Sequence, residues 1–229
     1  MIRLKYILLV LLLCGSWAVK GRVFRSVGVR DGRLNTVGLP WQLAYRTTMD
    51  VNGERNDLHV YSAHSNEPVV EQLKDRFERQ GAAVVVSQTR DGAQGVARFG
   101  DREVRILVLS PGSRPNQMVF LFYPEPGKAQ APPRLPVPEF PGAFAGKTVA
   151  NESTGTICAT SQTEALPEQV QAFYAGVLSA DGWRTVIPPN QGMSRMAVYQ
   201  KQERVCCVLA AQRPGGASRV TVLVNDGGL

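Results

Sequence analysis

Histidine is almost missing: His59 and His64 are the only two in 229 residues. They stand in a stretch rich in strand formers, and their odd separation sends the two side chains to opposite faces of a strand. A shared metal site is thereby excluded unless the strand ends between them. Cysteine is also scarce, with four copies, and none stands in the paired spacing of a structural zinc site. The second half contains no histidine, so a cysteine there has no imidazole to activate it. The G-x-S-x-G and H-E-x-x-H motifs, the phosphate loop and the dinucleotide loop are all missing. Asp101 and Glu103 come nearest to a working carboxylate pair. Arg102 and Arg105 lie among them, which predicts a solvated turn with ion pairs. These absences predict a protein that is not an enzyme and uses no cofactor.

The one long apolar run is at the start. "YILLVLLLC" follows Arg3 and Lys5, and Ser16-Trp17-Ala18 offers small residues around a cleavage point. The pattern predicts a signal peptide over residues 1–18, hence an exported protein, periplasmic or secreted. An uncleaved leader would act as a membrane anchor, although the run is short for a bilayer span of about 20 residues. Cys14 raises a lipoprotein reading, but Leu13 stands where a lipobox has a small residue. A basic, flexible arm is expected over 19–38, where Lys20, Arg22, Arg25, Arg30 and Arg33 face Asp31 alone. It suits a solvated leader, or contact with an anionic membrane surface or cell-wall polymer. No nucleic-acid motif accompanies the charge.

What the chain does have is a pattern stated twice. "VVEQLKDRFERQGAA" and "QVQAFYAGVLSADGW" each read as a helix ended by glycine, at Gly81 and Gly182. Val69, Leu73 and Phe77 match Val170, Tyr174 and Leu178 at a constant offset. Carried forward without gaps, that offset sets Val104 against Val205 and Val119 against Val220. Each helix follows an extended segment, "DLHVYSAH" or "GTICATSQ". Ser65 or Asn66, and Thr163, are candidate caps, with Pro68 and Pro167 in the first turn. "AAVVVSQ", "GVARFG" and "EVRILVLS" follow the first helix, with "MVFLFY" beyond. "WRTVI", "RMAVYQK", "RVCCVLAA" and "RVTVLV" follow the second. Asn52-Gly53 predicts a hairpin turn. The fold expected is α+β: two similar domains, each one helix on an antiparallel sheet (β-β-α-β-β-β), related by internal duplication. Repeat 1 spans 39–123 and repeat 2 spans 144–229. Seven prolines between Pro124 and Pro141 predict a stiff spacer over 124–143.

Two exported helix-on-sheet modules joined by a linker, with the helix phrase "FYAGVLSADGW", resemble the tandem helix-grip domains of BamC-like bacterial envelope proteins. The resemblance covers about residues 40–229. It implies a non-catalytic accessory role in envelope assembly or secretion, and it carries over no functional residue. The missing lipobox departs from that pattern.

Three cysteines follow the leader. Cys206 and Cys207 project to opposite faces of one strand, and one of them reaches Cys158 if their strands are neighbours. A disulfide of Cys158 with Cys206 or Cys207 is one expectation in an oxidising compartment; burial as small hydrophobes is the other. Phe173, Tyr174 and Trp183 are expected in the core. The function expected is an interaction or scaffolding module of the bacterial cell envelope or a secretion system, with an envelope protein as partner. The alternatives are a periplasmic enzyme with a site between the two domains, and a polyanion or lipid-surface binder acting through the basic arm.

Overall fold

Strand-forming sequence dominates the chain, and a computed structural model shows where it pairs. The structure describes residues 39, 41–64, 68–89, 92–110, 116–125, 127 and 130–226. The leader, the basic arm, and Ser65 and Asn66 lie outside the described residues. The described chain is α+β, with antiparallel strands and two helices. None of its helices is long and apolar enough to cross a membrane.

The described residues divide into two units: 39–47 with 56–125, and 48–55 with 127–226. The first unit holds most of β1 (Gln42–Val51) and β2 (Glu54–His64), then α1 (Val69–Arg79), β3 (Ala83–Thr89), β4 (Gly92–Phe99), β5 (Arg102–Leu109) and β6 (Asn116–Pro124). Its antiparallel pairings run β3 to β4, β4 to β5, β5 to β6 and β6 back to β2. The second unit holds β7 (Phe144–Asn151), β8 (Thr156–Thr163), α2 (Pro167–Ala180), β9 (Arg184–Ile187), β10 (Ser194–Lys201), β11 (Arg204–Gln212) and β12 (Ser218–Asn225). Its pairings run β7 to β8, β8 to β12, β12 to β11, β11 to β10 and β10 to β9. Four strands follow each helix, so the expected β-β-α-β-β-β order is one strand short. The extra strand in each unit, β6 or β12, hydrogen-bonds the strand before the helix, which would otherwise present a free edge.

The helices end as their glycines predict. Gly81 and Gly182 have φ of 86° and 81°. Ala82 N–H donates to Phe77 O and Gly81 N–H to Glu78 O; Trp183 N–H donates to Leu178 O and Gly182 N–H to Ser179 O. Both are the doubled C-terminal bond pattern that only a left-handed residue allows. The starts differ from expectation. Thr163 accepts a bond from Ala165 N–H. It does not cap α2, whose first turn is closed by Gln169 reaching back to Leu166 N–H at 2.9 Å.

Each helix lays its apolar stripe on the strands of its own unit. Val69, Leu73 and Phe77 pack with Tyr61, Val104, Ile106, Val119 and Leu121. Val170, Tyr174 and Leu178 pack with Tyr199, Cys206, Val208, Val220 and Val222. The ungapped offset therefore holds for the helices and the last strand, but it slips by one at β5 and β11. Val104 is buried under α1, whereas Val205 is 36% exposed and Cys206 takes the place under α2. A one-residue slip moves every side chain to the other face.

The proline-rich stretch is not a free spacer. Val137 is buried in the α2 core, with Leu135 and Phe140 packed beside it. The Phe140 and Phe173 rings meet edge to face at 5.2 Å, and the Tyr174 hydroxyl is hydrogen-bonded to the backbone of Phe140. Proline fixes φ and supplies no donor, so this strap meets α2 through the side chains of Leu135, Val137 and Phe140 and the backbone bond at Phe140. The tip of the β1–β2 hairpin also belongs to the second unit. Asn52 and Gly53 form the expected turn with φ of 55° and 84°. Asn52 exchanges bonds with Thr148, N–H to O at 2.9 Å and Thr148 N–H to Oδ1 at 2.7 Å. Gln130 N–H donates to Gly53 O at 2.8 Å, and a Cβ on Gly53 would stand 1.9 Å from Gln130 O.

Candidate functional site

Two groups of side chains go beyond simple packing. The first runs along β2 on the face that carries α1. Asp57, His59 and Tyr61 alternate with period two, so all three project to one side. Asp57 is 5% exposed and is held by Arg46 through two bonds, Nη2 to Oδ2 at 2.6 Å and Nε to Oδ1 at 3.2 Å. His59 Nε2 lies 3.3 Å from Asp57 Oδ2, and its Nδ1 lies 3.5 Å from the Tyr61 hydroxyl. The Tyr123 ring lies against the imidazole at a tilt of 52°, with centroids 4.9 Å apart. Burial pushes the Asp57 carboxyl up, but the hydrogen bonds from His59 and Arg46 outweigh it and hold the carboxyl well below its usual range. The Asp57 bond likewise raises the Arg46 guanidinium.

A carboxylate that orients an imidazole is part of many acid–base sites. Here the imidazole's other nitrogen faces Tyr61, which is 5% exposed and belongs to the α1 core. The arrangement ties β1 to β2 through a charge pair whose carboxylate is buried and whose guanidinium is partly exposed. Sequence reasoning weighed His59 against His64 and missed Asp57; the period-two run of Asp57, His59 and Tyr61 was the available signal. In register, His59 lies opposite Leu121 and His64 opposite Asn116.

The second group lies on the second unit's sheet, on the face away from α2. Cross-strand register places seven apolar residues in one row: Val51, Val149, Cys158, Leu223, Cys207, Val198 and Ile187. Cys158, Leu223 and Cys207 are buried at its centre, with Met196 and Val198 packed against them. The row opens to solvent toward β9, where Ile187 is 47% exposed, and Met193 in the next loop is 70% exposed. Thr160 and Thr221 flank the row, their hydroxyls 3.5 Å apart.

The three cysteines are free. Cys158 and Cys207 share this face, but Leu223 stands between them, so their strands are second neighbours. Two strand spacings are about 9–10 Å, beyond the reach of a disulfide. Cys206 points the other way, into the α2 core. The expected disulfide of Cys158 with Cys206 or Cys207 is therefore not formed, and the alternative of small buried hydrophobes describes all three. Burial pushes the thiols up, to about 12 for Cys158 and Cys206 and about 11 for Cys207. Protonated thiols are poor nucleophiles.

The remaining expectations divide. Lys20, Arg22, Arg25, Arg30 and Arg33 lie outside the described residues. Tyr174 and Trp183 are core at 1% and 3% exposure, with Phe173 partly buried beside them. Trp183 also explains the "DGW" phrase: its indole N–H donates to Asp181 at 3.0 Å, and the Arg204 guanidinium lies over its ring. Glu103 pairs with Arg105 at 2.9 Å, as expected, and with Arg98 at 3.7 Å, which was not foreseen. Among the described residues, no three of His, Cys, Asp and Glu come together as metal ligands.

Comparison with known proteins finds one similarity. A family model described as START domain-like matches residues 144–217, the segment from β7 to the turn before β12. A helix laid on an antiparallel sheet there is compatible with a helix-grip fold. No curated protein and no solved structure matches the chain.

Proposed function

We propose that this is an exported, non-catalytic tandem-domain protein that serves as an interaction or scaffolding module of the bacterial cell envelope or a secretion system. The observation that carries the reading is the apolar row from Val51 to Ile187, buried at its centre and open at its β9 end. An apolar row that reaches solvent at one end offers a partner protein a place to continue it. The partner is an envelope protein presenting an apolar segment to Ile187 at the open end of the row. The two units arose by internal duplication. Support comes from the shared order of two strands, a helix and four strands, and from three buried helix positions at a constant offset. A BamC-like tandem arrangement is the architecture this reading favours. The START domain-like match over 144–217 fits the helix-on-sheet half of that idea.

Photo-crosslinking in a bacterial host tests the proposal. A crosslinking residue at Ile187 is expected to capture a reproducible envelope protein, and the same residue at Asp75 on α1 is not. Absence of any adduct at Ile187, or the same adduct at both positions, would count against the reading.

A further inference from the structure

The outermost strands of the two units treat their free edges differently. β9 has four residues, a register irregularity opposite Val198 and Tyr199, Arg184 at its start and Pro188-Pro189 after its end. Short length, irregularity, charge and proline are the devices that keep an edge from pairing with another chain. β3 has none of them. It runs seven residues, "AVVVSQT", in unbroken register along β4 from Ala83 opposite Arg98 to Thr89 opposite Gly92. It holds no charge and no proline, and Val85, its third residue, is 73% exposed. Gly95 lets β3 lie tight on β4, since a Cβ there would stand 2.4 Å from Val85 O. Val84 and Val86 face the α1 core but are only partly buried, because the core stops at this edge. Among the described residues no strand pairs with the outer side of β3.

We propose that β3 pairs antiparallel with β3 of a second copy of this chain, about a two-fold axis at Val85. Charge favours a self-pair. The strand is neutral, so two copies meet with no like charges opposed, and β-branched Val85 faces its own counterpart. The axis sets Val84 of one copy beside Val86 of the other, which extends each α1 core across the seam. The neighbouring helix carries balanced pairs, Lys74 with Glu78 and Asp75 with Arg79, so it adds no net repulsion. One strand pair buries less than a standard interface of about 1,600 Å². The dimer is therefore weak and reversible, with a dissociation constant in the micromolar range. The pairing is independent of the proposed envelope role.

Sedimentation of the full chain from about 1 to 100 µM tests it. The expected result is a monomer that becomes a dimer across that range. Val85→Lys should weaken association at least tenfold, while Thr185→Lys on β9 should leave it unchanged. A second variant guards against misfolding as the cause. Val85→Cys should form a covalent dimer under mild oxidation, and neither the parent chain nor Thr185→Cys should do so. A chain that stays monomeric throughout, a dimer indifferent to Val85→Lys, or no covalent dimer from Val85→Cys would overturn the proposal.

Discussion

The two helices occupy the same place in their units and are built differently. α1 buries one stripe and gives its other face to water, where Lys74–Glu78 and Asp75–Arg79 pair at one-turn spacing. α2 buries the matching stripe, but Phe173 and Val177 beside it are also partly covered, because Leu135, Val137 and Phe140 of the proline-rich strap lie against them. An amphipathic helix needs one partner; a helix apolar on two sides needs two. The lesson is that a second apolar flank on a helix is a signal for another layer, even when that layer has no regular secondary structure.

Substitutions can break the comparison, and they rank by burial. Leu73→Ala and Leu178→Ala each remove a buried leucine from the stripe of its own helix, each 0% exposed. Each should cost about 2–5 kcal/mol in urea unfolding, with similar losses showing that both helix stripes are equally well packed. Phe140→Ala should cost about 1–3 kcal/mol through lost contact with Phe173. Leu39 and Trp41, which precede β1, also meet the α1 core from outside the strands.

Acid sharpens the contrast, because the Arg46–Asp57 pair belongs to the first unit only. The folded Asp57 carboxyl titrates below its unfolded value of about 3.9. As pH falls the unfolded chain takes up the proton first. The stabilisation is thus fully present above about pH 5 and is lost as pH drops below that value. Asp57→Asn should remove that part of the acid sensitivity, read from unfolding midpoints at pH 7 and pH 3. The smallest effect expected is Asp75→Ala on the exposed face of α1, below about 0.5 kcal/mol.

Local signals were legible and distant ones were not. Gly81, Gly182 and Asn52-Gly53 were readable because the backbone conformation each supports depends on that residue alone. The helix stripes were readable from their period. The face assignment of β11 was not, since one extra residue between Gly182 and β11 inverts the alternation and leaves Val205, rather than Cys206, facing away from α2. The docking of Gly53 against Gln130 joins positions far apart in sequence and has no local trace. The strap's proline content reports stiffness, which predicts a spacer, while its apolar Leu135, Val137 and Phe140 report burial. For the candidate site, the cysteines were located but mispaired, because strand order was unknown. The apolar row needed the register of six pairings before it existed as an object at all.

Hydrogen exchange of the Val137→Ser variant tests most directly whether the strap is a layer of the second unit. Val137 is 6% exposed in the α2 core. A polar side chain there should raise the exchange of the α2 amides from Phe173 to Leu178 at least tenfold, about 1.4 kcal/mol of local stability, and leave α1 unchanged. Unaltered protection of α2 in that variant would contradict the account and return the proline-rich segment to the role of a tether.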